Sequence, residues 1–587
     1  MTKSHTSRLL KNPKNPPSHF AAPKSRVPSP ASQVEHLRIP IPIRIPALFL
    51  SLFLPLAALA TTYHIDALTG NDRNDGRSPQ TAFHTLSSIG KITLAPGDTI
   101  ILAAGQCHTG MLALESASGT EDKPIVITSS PFSFSAPDDP KATIDAKGQP
   151  SAVSLNNCVH IIVENLRITA NGGGLPAGAK PEGRFGVLIT ADKKGVFSNI
   201  TVRKVDIDGV FYENPGFVRD PRETNTDNGT QNYGWGIRAK YNGTQPAQLD
   251  RITIQDCTIT NVSHTGIRVT GDIKGNRFIS NLRVTGNKVT HVGGPGVVGL
   301  TLRDAYFARN TIDHTGSERD SRNWKRGSGL WTWGSTNVLI EHNSFTNANG
   351  PMDSAGTHID FNCANVVVQY NFSANNIGSF VEILGNDHNC AYRYNISVND
   401  GWRQGENLNA GHMGKTIWIT GYIGGKNKRT GPFNSYIYNN TIYVKSDIQA
   451  KIAIENTAQG VLIANNIFCI EGKTITAPGD NYNPRKAPNP AALNTIVKNN
   501  LFLHKQSWPA DNIQDTRPLH GDPGFAKKGG LALRDYIPSN TALLNQGIDI
   551  APLPGDNIGL TIGLKPDRDI LGTPITGKPT IGAIQVE

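Results

Sequence analysis

Eight asparagines close eight versions of one phrase, and that recurrence constrains the chain more than any other feature. LRVTGNKV ends its apolar alternation at Asn287, AYFARNTI at Asn310, NVLIEHNSF at Asn343 and NVVVQYNFS at Asn371. CAYRYNIS, SYIYNNTI, VLIANNIF and IVKNNLF continue it at Asn395, Asn440, Asn466 and Asn500. Intervals run from 23 to 45 residues. Fainter copies precede them as IIVENLRI, NITVRKVDI and RITIQDCTI. A short alternating run reads as a strand. Many such runs at a repeat of a few tens of residues, with turn residues between and no helical period, read as coils of a parallel β-helix. No single coil can bury its own apolar side, so each must stack on the next, ~4.8 Å away. An amide at the same bend of every coil can then hydrogen-bond its copies above and below. Leucine-rich repeats would need Leu at fixed spacing, and a propeller would need a longer four-strand period.

Composition agrees. The 587 residues include 59 Gly and 38 Pro, and 18% are charged. The net charge of +10 misleads, because residues 1–60 hold eight Lys or Arg against one acid, leaving 49 basic and 46 acidic groups elsewhere. The remainder is nearly balanced and has no basic stripe interleaved with aromatics, which excludes a nucleic-acid partner. The leader ends PALFLSLFLPLAALA, a short apolar run closed by small residues near Ala60. It reads as an export signal, and it is too short and Pro-broken to span a membrane. The expected location is therefore secreted or periplasmic. The six cysteines form no CxxC pair, so zinc and redox motifs are absent. Cys363 and Cys390 are near enough in sequence to pair after export.

The opening YHIDALTGNDRNDGRSPQTAFHTLSSIGKITLAPGDTIILAAG, then GTEDKPIVITSS and ATIDAKG, resembles the start of secreted proteins of the pectate-lyase-like superfamily. The closing ALLNQGIDI and DILGTPITGKPTIGAIQVE resemble their end. The resemblance implies an all-β, single-stranded right-handed parallel β-helix. It divides the chain into a leader (1–60), an N-terminal cap (61–100), the β-helix (101–525) and a closing segment (526–587). Polysaccharide lyases, glycoside hydrolases, epimerases and non-catalytic adhesins all share that fold. The glycine-rich Ca²⁺-binding nonapeptide is missing.

Each coil also carries a second strand, usually after a Gly: WGIRAK, TGIRVTG, PGVVGL, SGLWTWG, THIDFN, SFVEIL and KTIWIT. Aligning Ile237, Ile267, Leu330, Ile359, Val381 and Ile417 as inward residues makes the next residue point outward. The outward column then reads Arg238, Arg268, Val298, Trp331, Asp360, Glu382, Trp418. Trp333 and Asn362 extend this face two residues on, and His358 and Thr416 two residues back. Stacked carboxylates repel, and indoles on an outer face expose apolar area. A carbohydrate cleft makes use of both. Indoles stack on sugar rings, and neighbouring carboxyls separate in pKa into an acid and a base. Adjacent coils would set Asp360 and Glu382 ~5 Å apart, near the ~5–5.5 Å of a retaining glycosidase. Asp353 is the more distant partner an inverting route would use, and His358 orients a carboxylate or binds substrate.

The expected function is a secreted glycoside hydrolase, with Asp360, Glu382, Asp353 and His358 as catalytic candidates. Trp331, Trp333, Trp418, Arg268, Asn362, Arg403 and Lys415 are the substrate-binding candidates. The alternatives are a polysaccharide lyase, with Ca²⁺ or Arg neutralising a uronate, and a non-catalytic sugar-binding protein. No cofactor is required by the sequence. Ca²⁺ is the cation candidate, through Asp387 in GNDHNC. A monomer acting on a poly- or oligosaccharide is expected, with the insertions 212–235, 314–327 and 401–415 (His412 included) as cleft walls.

Overall fold

The computed structural model describes residues 60–132, 140–171, 183–211, 234–316, 326–350, 353–403, 413–477 and 493–586. The leader and its signal, His412, and most of the three insertions lie outside them. The chain winds as a right-handed parallel β-helix with three sheets, of 15, 12 and 14 strands. The first runs from Thr62–Ile65 to Leu493–Lys498, the second from Leu112–Glu115 to Ile475–Thr476, and the third from Cys107–Thr109 to Leu519–His520. Every pairing between named strands is parallel; in the first sheet, for instance, Val338 faces Val366 and Ile340 faces Val368. Inward positions form one continuous aliphatic core, including Ile237, Ile267, Leu330, Ile359, Val381, Ile417 and Ile452. No helix among the described residues is long and apolar enough to cross a membrane.

The asparagines do what their recurrence requires. Asn287 donates its side-chain amide to Asn310 Oδ1 at 2.9 Å, and Asn310 to Asn343 at 2.9 Å. The chain of donations continues through Asn371, Asn395, Asn440 and Asn466 to Asn500. Each amide also donates to a backbone carbonyl one coil back, as Asn343 does to Phe307 at 3.0 Å. Each Oδ1 also accepts the backbone N–H of the preceding rung, as Asn371 does from Asn343. The residue before every rung is left-handed: Gly286, Arg309, His342, Tyr370, Tyr394, Asn439, Asn465 and Asn499. That bend turns the first sheet into the third and aims the next amide along the helix axis. The doubled NN of the last three repeats supplies a residue tolerant of φ > 0 and a rung together.

The Thr62–Ile65 strand pairs with Thr99–Ala103, so the first segment contributes a strand to the first sheet. At the other end the chain doubles back along the outside. Tyr536, Leu543, Ile570 and Ile581 pack on Ala374, Ile396 and Ile467 of the third sheet. Leu553 and Leu560 pack on Tyr394, Tyr436 and Tyr438 of the first. All six cysteines are free thiols. Cys363 precedes Ala364, whose partner is His388, so its own neighbour is Asp387 and not Cys390.

Candidate active site

Five consecutive strands of the second sheet build the site: Leu330–Trp333, Thr357–Ile359, Val381–Ile383, Ile417–Ile419 and Lys451–Ile454. Their register corrects the expected column. Leu330 pairs with Thr357 and Trp331 with His358. Ile359 pairs with Ile383, which sets His358 beside Glu382, and Glu382 pairs with Trp418. The outward column is therefore Arg238, Arg268, Val298, Trp331, His358, Glu382, Trp418. Asp360 does not lie beneath Glu382 between two indoles; it lies two residues further on, level with Trp333. The aliphatic pattern misaligns this coil because Thr357, not Ile359, fills the inward position opposite Leu330. A two-residue slip keeps every side chain on its own face, so alternation alone does not reveal it.

The strand also ends sooner than expected. Asp360 still donates its N–H to Thr332 O at 2.9 Å. Asn362 then turns left-handed, and its Oδ1 accepts from Asn386 at 2.8 Å. It is a turn residue that ends the strand. Phe361 meets Trp333 edge-on at 5.6 Å and Tyr422 at 6.1 Å.

Asp353, on the segment entering the Thr357 strand, joins the centre of the column. Its Oδ2 lies 3.7 Å from His358 Nε2. Oxygen or nitrogen atoms of Asp353, His358 and Glu382 all come within 4.8 Å of one another. Ser328 Oγ donates to Asp353 Oδ1 at 3.1 Å. Its backbone is pinned on both sides: Gly327 donates N–H to Asp353 O at 2.8 Å, and Gly378 donates to Ser354 O at 2.9 Å. Gly378 has to be glycine, since a Cβ there would sit 2.4 Å from Ala355 N. Arg403 Nη2 donates to Gly350 O in the same segment. Lys415 lies over the Trp418 ring at 4.0 Å, and the His358 ring stacks on Trp331 at 5.5 Å and 8°.

Electrostatics separates the acids. Burial opposes ionisation of Asp353, but His358, Arg326, Ser328 and Arg403 outweigh it and hold its carboxyl below the usual range. Burial also keeps the His358 imidazole below its ordinary pKa. Asp360 moves the other way, pushed up to about 7 by burial and by the Asp353 charge, although Phe361 N–H donates to it at 2.9 Å. Burial and the Asp353 charge raise Glu382 well above a normal carboxyl despite Lys415 nearby. Exposure then decides which acids a substrate can touch. The Asp353 side chain is 28% exposed and Asp360 is half-buried, whereas Glu382 is 4% and His358 1% exposed.

Asp387 is fully buried, and its Oδ1 accepts the Cys363 N–H at 2.7 Å. Burial raises its pKa well above normal, so it is a neutral acid capping a turn. Asp353, His358 and Glu382 have metal-like spacing and offer one imidazole and two carboxyls. That set does not suit Ca²⁺, which takes six to eight oxygens. Arg268 lies in the same outward column, three coils from His358. Ser328, Arg326 and Phe361 were missed by the sequence reading. Ser328 and Arg326 flank the excursion before Leu330, and only the fold brings them to Asp353.

Comparison with known proteins adds the following. A family model for the right handed beta helix region matches residues 235–421. A lacto-N-biosidase of Bifidobacterium longum subsp. longum is 22% identical over 627 aligned residues, covering 89% of this chain. The chain spans about a third (36%) of that relative's length. A GH136 lacto-N-biosidase from Eubacterium ramulus superposes with a TM-score of 0.49 at 17% identity, covering 78% of this chain and 68% of that one. XylC in complex with xylose superposes at 0.51 and 12% identity, covering 90% and 98%. The sheet topology and these likenesses together identify the fold as a right-handed parallel β-helix.

Proposed function

We propose that the protein is an exported glycoside hydrolase that cleaves an oligo- or polysaccharide with Asp353 and Asp360. The observation that carries this is a pair of solvent-reaching carboxyls with opposite shifts on one face, Asp353 held ionised and Asp360 held protonated to about 7. Two carboxyls that share about one proton at neutral pH provide what glycoside hydrolysis needs: a donor for the leaving oxygen, and a charge to attack the sugar or activate water. His358, Arg326, Arg403 and Ser328 are positioning residues that fix Asp353. Glu382, shielded and neutral, is a proton-holding support beneath the pair and not a group that meets substrate. Trp331 and Trp333 are the sugar-stacking candidates, with Trp418 and Lys415 forming the wall one coil beyond. The likeness to a lacto-N-biosidase supports the reaction class. Loading with Ca²⁺ has no role in this reading.

The test is product chemistry on a panel of neutral and acidic glycans, with lacto-N-biosides and xylo-oligosaccharides included. New reducing ends, lost in Asp353→Asn and Asp360→Asn, are expected; when azide is added to Asp353→Ala and Asp360→Ala, the variant that yields a glycosyl azide of inverted configuration identifies the carboxylate that attacks or activates water. An ultraviolet-absorbing unsaturated uronate would instead establish a lyase. Full activity in both variants would remove the pair from the mechanism.

A further inference from the structure

North of the acids on the same face, towards the N-terminus, lies a cluster of three cations. Arg238 and Arg268 occupy adjacent rungs of the outward column, and Lys240 lies two residues along from Arg238. Arg238 is 9% exposed, and Arg268 and Lys240 are half-buried. Arg238 donates to Thr270 Oγ1 at 2.7 Å and to Arg268 O at 3.3 Å, and lies 5.9 Å from the Trp235 ring. Arg268 Nε is buried without a hydrogen-bond partner. No carboxylate among the described residues forms an ion pair with any of the three.

Such an arrangement is costly in the free protein. Like charges on neighbouring rungs repel, and burial of an unpaired guanidinium forfeits its hydration. Burial lowers Arg268 only to about 10, so it keeps its charge at neutral pH. Burial and the Arg238 charge also depress Lys240. Other buried cations donate to neutral acceptors, as Arg393 does to Gln369, Tyr438 and Gly563 and Lys451 to the carbonyls of Arg403, Gly414 and Gln449, whereas Arg268 Nε donates to nothing. The pair therefore stands out as a socket built for an incoming anion. Arg268 is three coils from His358, roughly 14 Å along the sheet, a few sugar residues from the acids.

We propose that Arg238, Arg268 and Lys240 form an anion subsite that receives a carboxylate or sulfate substituent of the glycan. The proposal deepens the hydrolase reading by making the substrate an acidic glycan held at a distance from the scissile bond. A guanidinium binds either oxyanion through paired N–H donors.

The experiment reads binding without turnover. Melting of the full-length protein is followed against sodium sulfate, sodium glucuronate and glucose, with chloride balancing ionic strength. A saturable rise is expected with sulfate or glucuronate and not with glucose, and whichever anion acts identifies the substituent. Arg268→Gln and Arg238→Gln should weaken half-saturation by at least about tenfold, and Lys240→Gln less. In chloride alone these variants should melt no lower than the parent, because each relieves like-charge repulsion; that also controls for misfolding. Asp360→Asn should keep the anion response. Absence of a saturable response in the parent, or an equal one in the arginine variants, overturns the subsite. A response without any glycan hydrolysis would leave the subsite standing and remove the hydrolase reading.

Discussion

The two long polar columns of this molecule behave in opposite ways. Along the bend between the first and third sheets, eight asparagines repeat one chemistry, and every amide and carbonyl they present is matched by the rung above or below. Along the outward face of the second sheet a pair of arginines is followed by a residue that changes at every rung: Val298, Trp331, His358, Glu382 and Trp418. Neutral amides both donate and accept, so a stack of them satisfies itself in the dry interior. Ionisable groups in a stack cannot, and each shifts its neighbour's protonation. The ladder uses repetition to hold the coils in register. The other column is irregular, and in the reading proposed above its charges and donors serve a glycan.

The sharpest test of that contrast is catalytic. Asp360→Asn should lower kcat/KM by about 10²–10⁴-fold while circular dichroism stays unchanged. A loss of structure would mean that the carboxyl belongs to the scaffold after all. Next comes a rung. Asn395→Ala removes donations to Val368 O and Asn440 and leaves the Asn371 backbone N–H without its acceptor. It should cost about 2–4 kcal/mol in chemical denaturation with KM unchanged.

A smaller effect is pH-dependent. The folded pKa of Asp360 is raised to about 7, above its value in the unfolded chain. Between those values the folded state holds the extra proton, so this group's contribution to stability falls as pH rises towards 7. Asp360→Asn should therefore be more stable than the parent at pH 8 by about 1–2 kcal/mol, discounted for solvent screening, and the gap should close towards pH 4. Paired melts across that range check the sign. Trp331→Ala should raise KM about 2–10-fold, in line with one lost ring contact, with little change in kcat. Smallest of all, treatment with EGTA should leave activity and melting unaltered.

The ladder was legible because its signal is one residue type at one bend, and its eight members were each identifiable before any coordinates. The acidic site was legible only as a cluster. Strand alternation put His358, Asp360 and Glu382 on the outer face correctly, but alternation has a period of two and cannot distinguish a register from one shifted by two. Thr357 in an aliphatic column was the clue to the true register. Asp353 became central through a tertiary fact, the pinning of its loop by Gly327 and Gly378 against neighbouring coils. Nothing local in GPMDSAG encodes that. The neutral burial of Asp387 and the turn role of Asn362 likewise depend on partners 24 residues away, Cys363 and Asn386.

The asparagine ladder has a polarity: the Cys257 N–H opens it at one end by donating to Asn287, and the Asp515 carboxylate closes it at the other by accepting from Asn500. Between those terminators each rung addresses only its immediate neighbours. A whole coil inserted or deleted between the Asn287 and Asn310 rungs, before the acids and away from the closing segment, would reconnect the ladder without a mismatch, so the number of coils there is free to drift. The length of groove offered to a glycan is in that sense a modular quantity, adjustable by duplication without redesigning the scaffold that carries it.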